Sequence, residues 1–130
     1  MKLLKCKVYV KEMKTKKGVK FNTYFIAFKN KEGERATMDC KIAQSAIKDF
    51  NTLIGNDKNL DLKLTCGQGG DDWKTQDCFV TYKKDEDGKE IHNKLGNPIK
   101  QLIIVRIGSE NLCKDLDLPQ LEHKDLTEDW

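Results

Sequence analysis

From Leu4 to Val10 the apolar side chains take every even position (Leu4, Cys6, Val8, Val10), and Lys5, Lys7, Tyr9 and Lys11 take the odd ones. A period of two is that of a β-strand with one buried face. The same alternation returns from Arg35 to Ile42, where Ala36, Met38, Cys40 and Ile42 oppose Arg35, Thr37, Asp39 and Lys41. It returns again in Leu60, Leu62, Leu64 and Cys66 against Asp61, Lys63 and Thr65. Val19 to Phe28 is rich in aromatic and β-branched residues, and Leu102 to Ile107 is a continuous apolar run short enough for a buried closing strand. A chain patterned this way is confined to a mostly β fold.

The connections set the order. Lys14 to Gly18 reads as a turn, so the first two strands form a hairpin, and the polar turn Lys29 to Glu34 leads into a third strand. Ala43, Ala46, Ile47, Phe50, Leu53 and Ile54 then recur at spacings of three and four before Gly55, which predicts a short amphipathic helix. Beyond the fourth strand lies a long irregular stretch. Asp77 to Tyr82 reads there as an extra strand, and Lys83–Lys89 and Asn93–Pro98 read as mobile polar loops. If Met13 faces Val19, Cys6 meets Ile26 and Val8 meets Tyr24 inside, while Lys7 meets Phe25 and Lys11 meets Phe21 outside. A slip of one residue would instead turn Tyr24 outward and Phe25 inward.

Three meandering strands, a helix and two further strands is the element order of the OB-fold, whose second and third strands and flanking loops bind oligonucleotides. The expected fold is therefore a five-stranded OB barrel over residues 1–114, with one helix between strands 3 and 4 and an elongated connection from strand 4 to strand 5. Binding a single strand requires cations along the phosphates and flat rings for unpaired bases. Lys5, Lys7, Lys11, Lys14, Lys16, Lys17 and Lys20 lie on or beside the first hairpin, together with Tyr9, Phe21 and Phe25. Small barrels also spend aromatics on their cores, which leaves Phe21 and Phe25 two readings. Tyr9 has a clearer one, since the even residues of its strand already fill the inner face. Arg35, Lys41 and Lys63 extend the basic track, and Trp73 either clasps a base or tucks its Gly- and Asp-rich loop onto the barrel.

The net charge of +3 conceals a division. Residues 1–114 carry 23 Lys and Arg against 15 Asp and Glu, whereas residues 115–130 carry one Lys against six acids. The body is thus +8 and the tail −5, and a basic body calls for a polyanionic partner. The tail runs from Asp115-Leu116-Asp117-Leu118-Pro119 to Glu128-Asp129-Trp130, without periodicity, and reads as a flexible acidic segment.

In this layout the chain resembles the single-stranded DNA-binding proteins of bacteria and their phages, which join an OB domain to an acidic C-terminal tail ending in a hydrophobic or aromatic residue. The local motif is Glu128-Asp129-Trp130. The resemblance implies sequence-non-specific binding of single-stranded DNA in replication or recombination. It further implies that Asp125, Glu128, Asp129 and Trp130 recruit replication or recombination proteins and that the tail folds back on the DNA site when DNA is absent. A homo-oligomer is compatible with it. The tail is short, contains Lys124, lacks a dense Asp cluster and ends in Trp where Phe is more usual, which points to a divergent phage version.

Other chemistry finds less support. Cys66-Gly67-Gln68-Gly69-Gly70 lacks the Lys-Ser/Thr of a phosphate loop, and no Cys-x-x-Cys pair occurs, so neither a cofactor nor a metal is expected. His92 and His123 lie in polar segments without a nucleophile nearby, and no catalytic residue is assigned. Asp71, Asp72, Asp77 and Glu90 leave a small Mg²⁺-dependent nuclease as one alternative. An OB-like protein-interaction or inhibitor domain is the other. Met1 to Val10 holds no apolar run for a signal peptide or membrane span, and five scattered cysteines suit a reducing compartment, so the expected location is the cytoplasm.

Overall fold

The computed structural model describes residues 2–30, 32–67 and 76–113. Among the described residues there are six strands: β1 (Lys2–Lys14), β2 (Lys20–Lys29), β3 (Arg35–Ile42), β4 (Asn59–Gly67), β5 (Cys78–Tyr82) and β6 (Lys100–Ile104). Helix α1 (Gln44–Ile54) lies between β3 and β4, and a single 3-10 turn (Ser109–Asn111) follows β6. The strands close into a barrel in the order β1-β2-β3-β6-β5-β4.

Closure needs one strand more than the five expected. The extra strand is β5, which enters the ring between β4 and β6. It pairs antiparallel to β6 over five residues, from Cys78↔Ile104 to Tyr82↔Lys100, but parallel to β4 at only Cys66↔Cys78 and Gly67↔Phe79. β6 runs parallel to β3, from Asp39↔Gln101 to Ile42↔Ile104. It ends at Ile104, short of the expected Ile107, because the N–H groups of Val105 and Arg106 turn to the carbonyl of Asp77. Ile107 is nevertheless buried.

Alternation fills the interior. Leu4, Cys6 and Val8 from β1, Ile26 and Phe28 from β2, and Met38, Cys40 and Ile42 from β3 share one core with Leu62, Leu64, Cys66, Leu102 and Ile104. The helix adds Ala46, Phe50 and Ile54, four residues apart and so on one stripe. Phe50 meets Tyr24 edge to face, with ring centroids 5.5 Å apart and planes at 86°. Gly55 ends the helix with φ 59°, its N–H donating to the Asn51 carbonyl.

The β1–β2 register differs from the expected one by two residues. Lys14 pairs with Lys20 and Met13 with Phe21, so Val8 meets Ile26 and Cys6 meets Phe28. A shift of two preserves every face. Its cause is the turn: the Oγ1 of Thr15 accepts the Val19 N–H at 3.1 Å, and Gly18, at φ 83°, takes the left-handed position three residues after that acceptor. The loop is therefore Thr15 to Val19 rather than Lys14 to Gly18.

The same device recurs at three further turns. Asn30, Asp85 and Asn93 each accept two backbone N–H groups through their side-chain oxygen, and Gly33, Gly88 and Gly96 each follow three residues later at positive φ. The last two turns fall in the segments expected as mobile polar loops, Lys83–Lys89 and Asn93–Pro98, and give them hydrogen-bonded hairpin geometry. There the Ile91 N–H donates to Lys83 O, Ile99 N–H to Ile91 O, and Lys83 N–H to Ile99 O. Two successive hairpins thus close a ring of three hydrogen bonds at the base of the β5–β6 connection.

Candidate nucleic-acid interface

The outer face of the β1–β2 hairpin is built in rungs. Odd residues of β1 meet odd residues of β2, giving Met13 with Phe21, Lys11 with Thr23, Tyr9 with Phe25 and Lys7 with Ala27. Successive outward rungs are about 7 Å apart, twice the strand rise. Tyr9 and Phe25 stack, with centroids 5.1 Å apart and planes within 8° of parallel. Both are half-buried, and neither belongs to the core. Phe21 is 43% exposed beside Met13 at 38%. Aromatics and lysines therefore alternate from rung to rung, not within a rung as the other register required. Lys11 meets Thr23 instead of Phe21, and Lys7 meets Ala27 instead of Phe25.

Beyond Val10 the arm leaves the barrel: β4 pairing with β1 stops at Tyr9↔Asn59, and the Val10 N–H makes one more bond, to the Lys58 carbonyl. Every residue from Lys11 to Asn22 is exposed, which presents Lys11, Lys14, Lys16, Lys17 and Lys20 to solvent. Lys20 lies 3.6 Å from Glu12, but both side chains are well exposed and such a pair is weak.

A second group of cations lies on the other side of the stacked rings. Lys63 of β4 is directly opposite Lys5 of β1, and Lys29 of β2 is directly opposite Arg35 of β3. Lys5 and Lys29 stand one step beyond the Cys6↔Phe28 pair, so the four form a row across four neighbouring strands, spanning about 14 Å. Like charges placed this close repel one another, and a bound polyanion relieves the repulsion. Lys29 was not among the sequence candidates, although its odd position at the end of β2 carries the signal.

Lys7 stands apart from the other candidates. Its Nζ is 3.5 Å from Oδ1 of Asp61, with side chains only 16% and 19% exposed, and that oxygen accepts no hydrogen bond. Lys7 therefore serves first as counter-ion to a largely buried carboxylate. Lys41 is exposed near the end of β3 and Arg35 is half-buried. Ala27 and Thr37, the next pair across β2 and β3, are both buried and add no accessible group. Trp73, Asp71 and Asp72 lie outside the described residues, as do Asp125, Glu128, Asp129 and Trp130 with the rest of the tail.

Comparison with protein-family models, with curated proteins and with solved structures found no match.

Three further groups define what the surface can do. Asp39, directly opposite Phe25 on β3, accepts a hydrogen bond from Nζ of Lys83 at 3.0 Å, which ties the β5–β6 connection to the edge of the stacked pair. Asp77 is tied into the fold through one oxygen: its Oδ2 accepts from the Thr65 N–H at 2.8 Å and from Nδ2 of Asn111 at 3.1 Å. That oxygen is thus a structural node. The cysteines at 6, 40, 66 and 78 are buried in the barrel. Burial pushes the Cys6 thiol up to about 12 and raises that of Cys40 as well. A hydrogen bond with the Cys66 thiol, then burial, raises Cys78. These are protonated packing groups, and no cluster of three or more His, Cys, Asp or Glu among the described residues is placed to hold a metal.

Proposed function

We propose that this chain is a sequence-non-specific single-stranded DNA-binding protein built on an OB-type barrel with one additional strand. The three-strand meander, the helix before β4 and a final strand parallel to β3 support the architecture. The observation that carries the function is the Tyr9–Phe25 stack on the outer surface, between the lysine-rich arm and the Lys63, Lys5, Lys29, Arg35 row. A ring pair outside the core gives unpaired bases a platform, and cations on both sides serve the phosphates.

The test is titration of oligo-dT binding against salt. Phosphate contacts at Lys63, Lys5 and Lys29 alone predict a slope of log K on log salt of about −2, steeper as the arm engages, with stacking leaving residual affinity at high salt. Salt-insensitive binding, or none, overturns the reading. The acidic tail extends the proposal: Asp125, Glu128, Asp129 and Trp130 dock replication or recombination proteins. Removing residues 115–130 leaves or strengthens DNA affinity at low salt by deleting a competing anion. A clear fall in affinity would place the tail inside the site.

A further inference from the structure

The stacked pair has two different sides. Tyr9 and Phe25 cover one face of each other, so the ring face of Phe25 left for a base is the one turned from Tyr9, toward β3. Asp39 is the residue directly opposite Phe25 there, and Gln101 of β6 is directly opposite Asp39. Across the sheet, then, the order is Asn59, Tyr9, Phe25, Asp39, Gln101, a rung in which hydrogen-bonding side chains, none of them cationic, flank the aromatic pair. A carboxylate in this position works against phosphate binding and suits a base edge instead. One of its oxygens, Oδ2, lies 3.0 Å from Nζ of Lys83, an exposed pair that biases the carboxylate's orientation without neutralising its second oxygen.

We propose that Asp39 is a base-selecting residue, giving the site a preference for strands whose bases carry an amino group, cytosine over thymine in the clearest case. This rests on the single-strand reading of the same surface and narrows it, since binding then tolerates any sequence but carries a modest base preference at this one position. Unpaired bases stacked on aromatic rings are read through hydrogen bonds to their exposed edges. Cytosine offers its N4 amino group as a donor to a carboxylate, whereas thymine offers O4, an acceptor that a carboxylate repels. Purines with amino groups satisfy the same requirement.

The experiment compares labelled oligo-dC and oligo-dT of equal length by fluorescence anisotropy, at one salt concentration and slightly alkaline pH. The wild-type chain is expected to bind oligo-dC at least about fivefold more tightly, the lower end of what one such contact supplies. Asp39→Ala brings the ratio toward one while strengthening binding to both strands, because a negative charge is lost from the surface. Lys83→Met breaks the ion pair but keeps the carboxylate, and its dC to dT ratio stays above one. Equal affinity of the wild type for both strands, or a ratio unchanged in Asp39→Ala, overturns the inference and leaves the proposed function standing. Absence of binding to either strand overturns both.

Discussion

Replacing Tyr9 with alanine separates a binding ring from a packing ring. Tyr9 is half-buried on the outer face, while Leu4, Cys6 and Val8 of the same strand fill the interior, so the substitution opens no cavity in the core. What the fold loses is the stacked contact with Phe25 at 5.1 Å. Such pairs contribute about 0.5–1.5 kcal/mol beyond burial, a fall in melting temperature of roughly 2–8 °C for a domain of this size. What the complex loses is larger. Each stacked base is worth about 1–3 kcal/mol, so oligo-dT affinity should fall by about 5- to 150-fold. The salt dependence should keep its slope, since no cation is removed. Anisotropy titrations at several salt concentrations, with thermal melts followed by circular dichroism, measure all three quantities. Tyr9→Phe retains the ring and should behave as wild type. Unchanged affinity combined with a melting temperature lowered well beyond this range would refute the reasoning, because Tyr9 would then be core.

Replacing Lys5 and Lys63 together with alanine should lower the magnitude of the salt slope by about 0.7 per lysine and relieve a like-charge contact; an unchanged slope would remove the cation row from the site. Asp77→Ala strands the Thr65 N–H and one Nδ2 hydrogen of Asn111, whose other bond to the Lys63 carbonyl remains, which should cost about 1–3 kcal/mol per lost donor partner in urea unfolding without weakening DNA binding. Retained stability would contradict its structural role. The buried thiols make stability fall at high pH. Cys6 titrates near 9.0 when unfolded and about 12 when folded, so above pH 9 the unfolded chain binds fewer protons and stability declines until about pH 12. The slope is about 1.4 kcal/mol per pH unit for each such thiol, and Cys6→Ala measured in parallel should flatten it.

Strand alternation makes much of the barrel legible in the sequence. The inward placement of Leu4, Cys6, Val8, Ala36, Met38, Cys40, Leu62, Leu64 and Cys66 follows from a period of two, as does the outward placement of Tyr9, whereas Phe21 and Phe25 have either face open in the sequence and take the outer one through the β1–β2 register. The helix over Gln44–Ile54 follows equally from spacings of three and four. Parity is local information, written into consecutive residues.

Partnership across the sheet is a different matter. Whether Tyr9 faces Phe25 or Thr23 depends on which loop residue accepts the turn hydrogen bond, and the two registers share every face assignment. Only the folded turn at Thr15 and Gly18 chooses between them. Other features lie further still from the local pattern: β5 closes the ring between β4 and β6, Lys29 joins a row with Lys63, and Asp39 stands beside Phe25. Residue order alone dictates which face β1, β3 and β4 bury, because alternation suffices there. Which outward side chains become neighbours is settled in the closed barrel, because strands distant in the chain must first meet at one register.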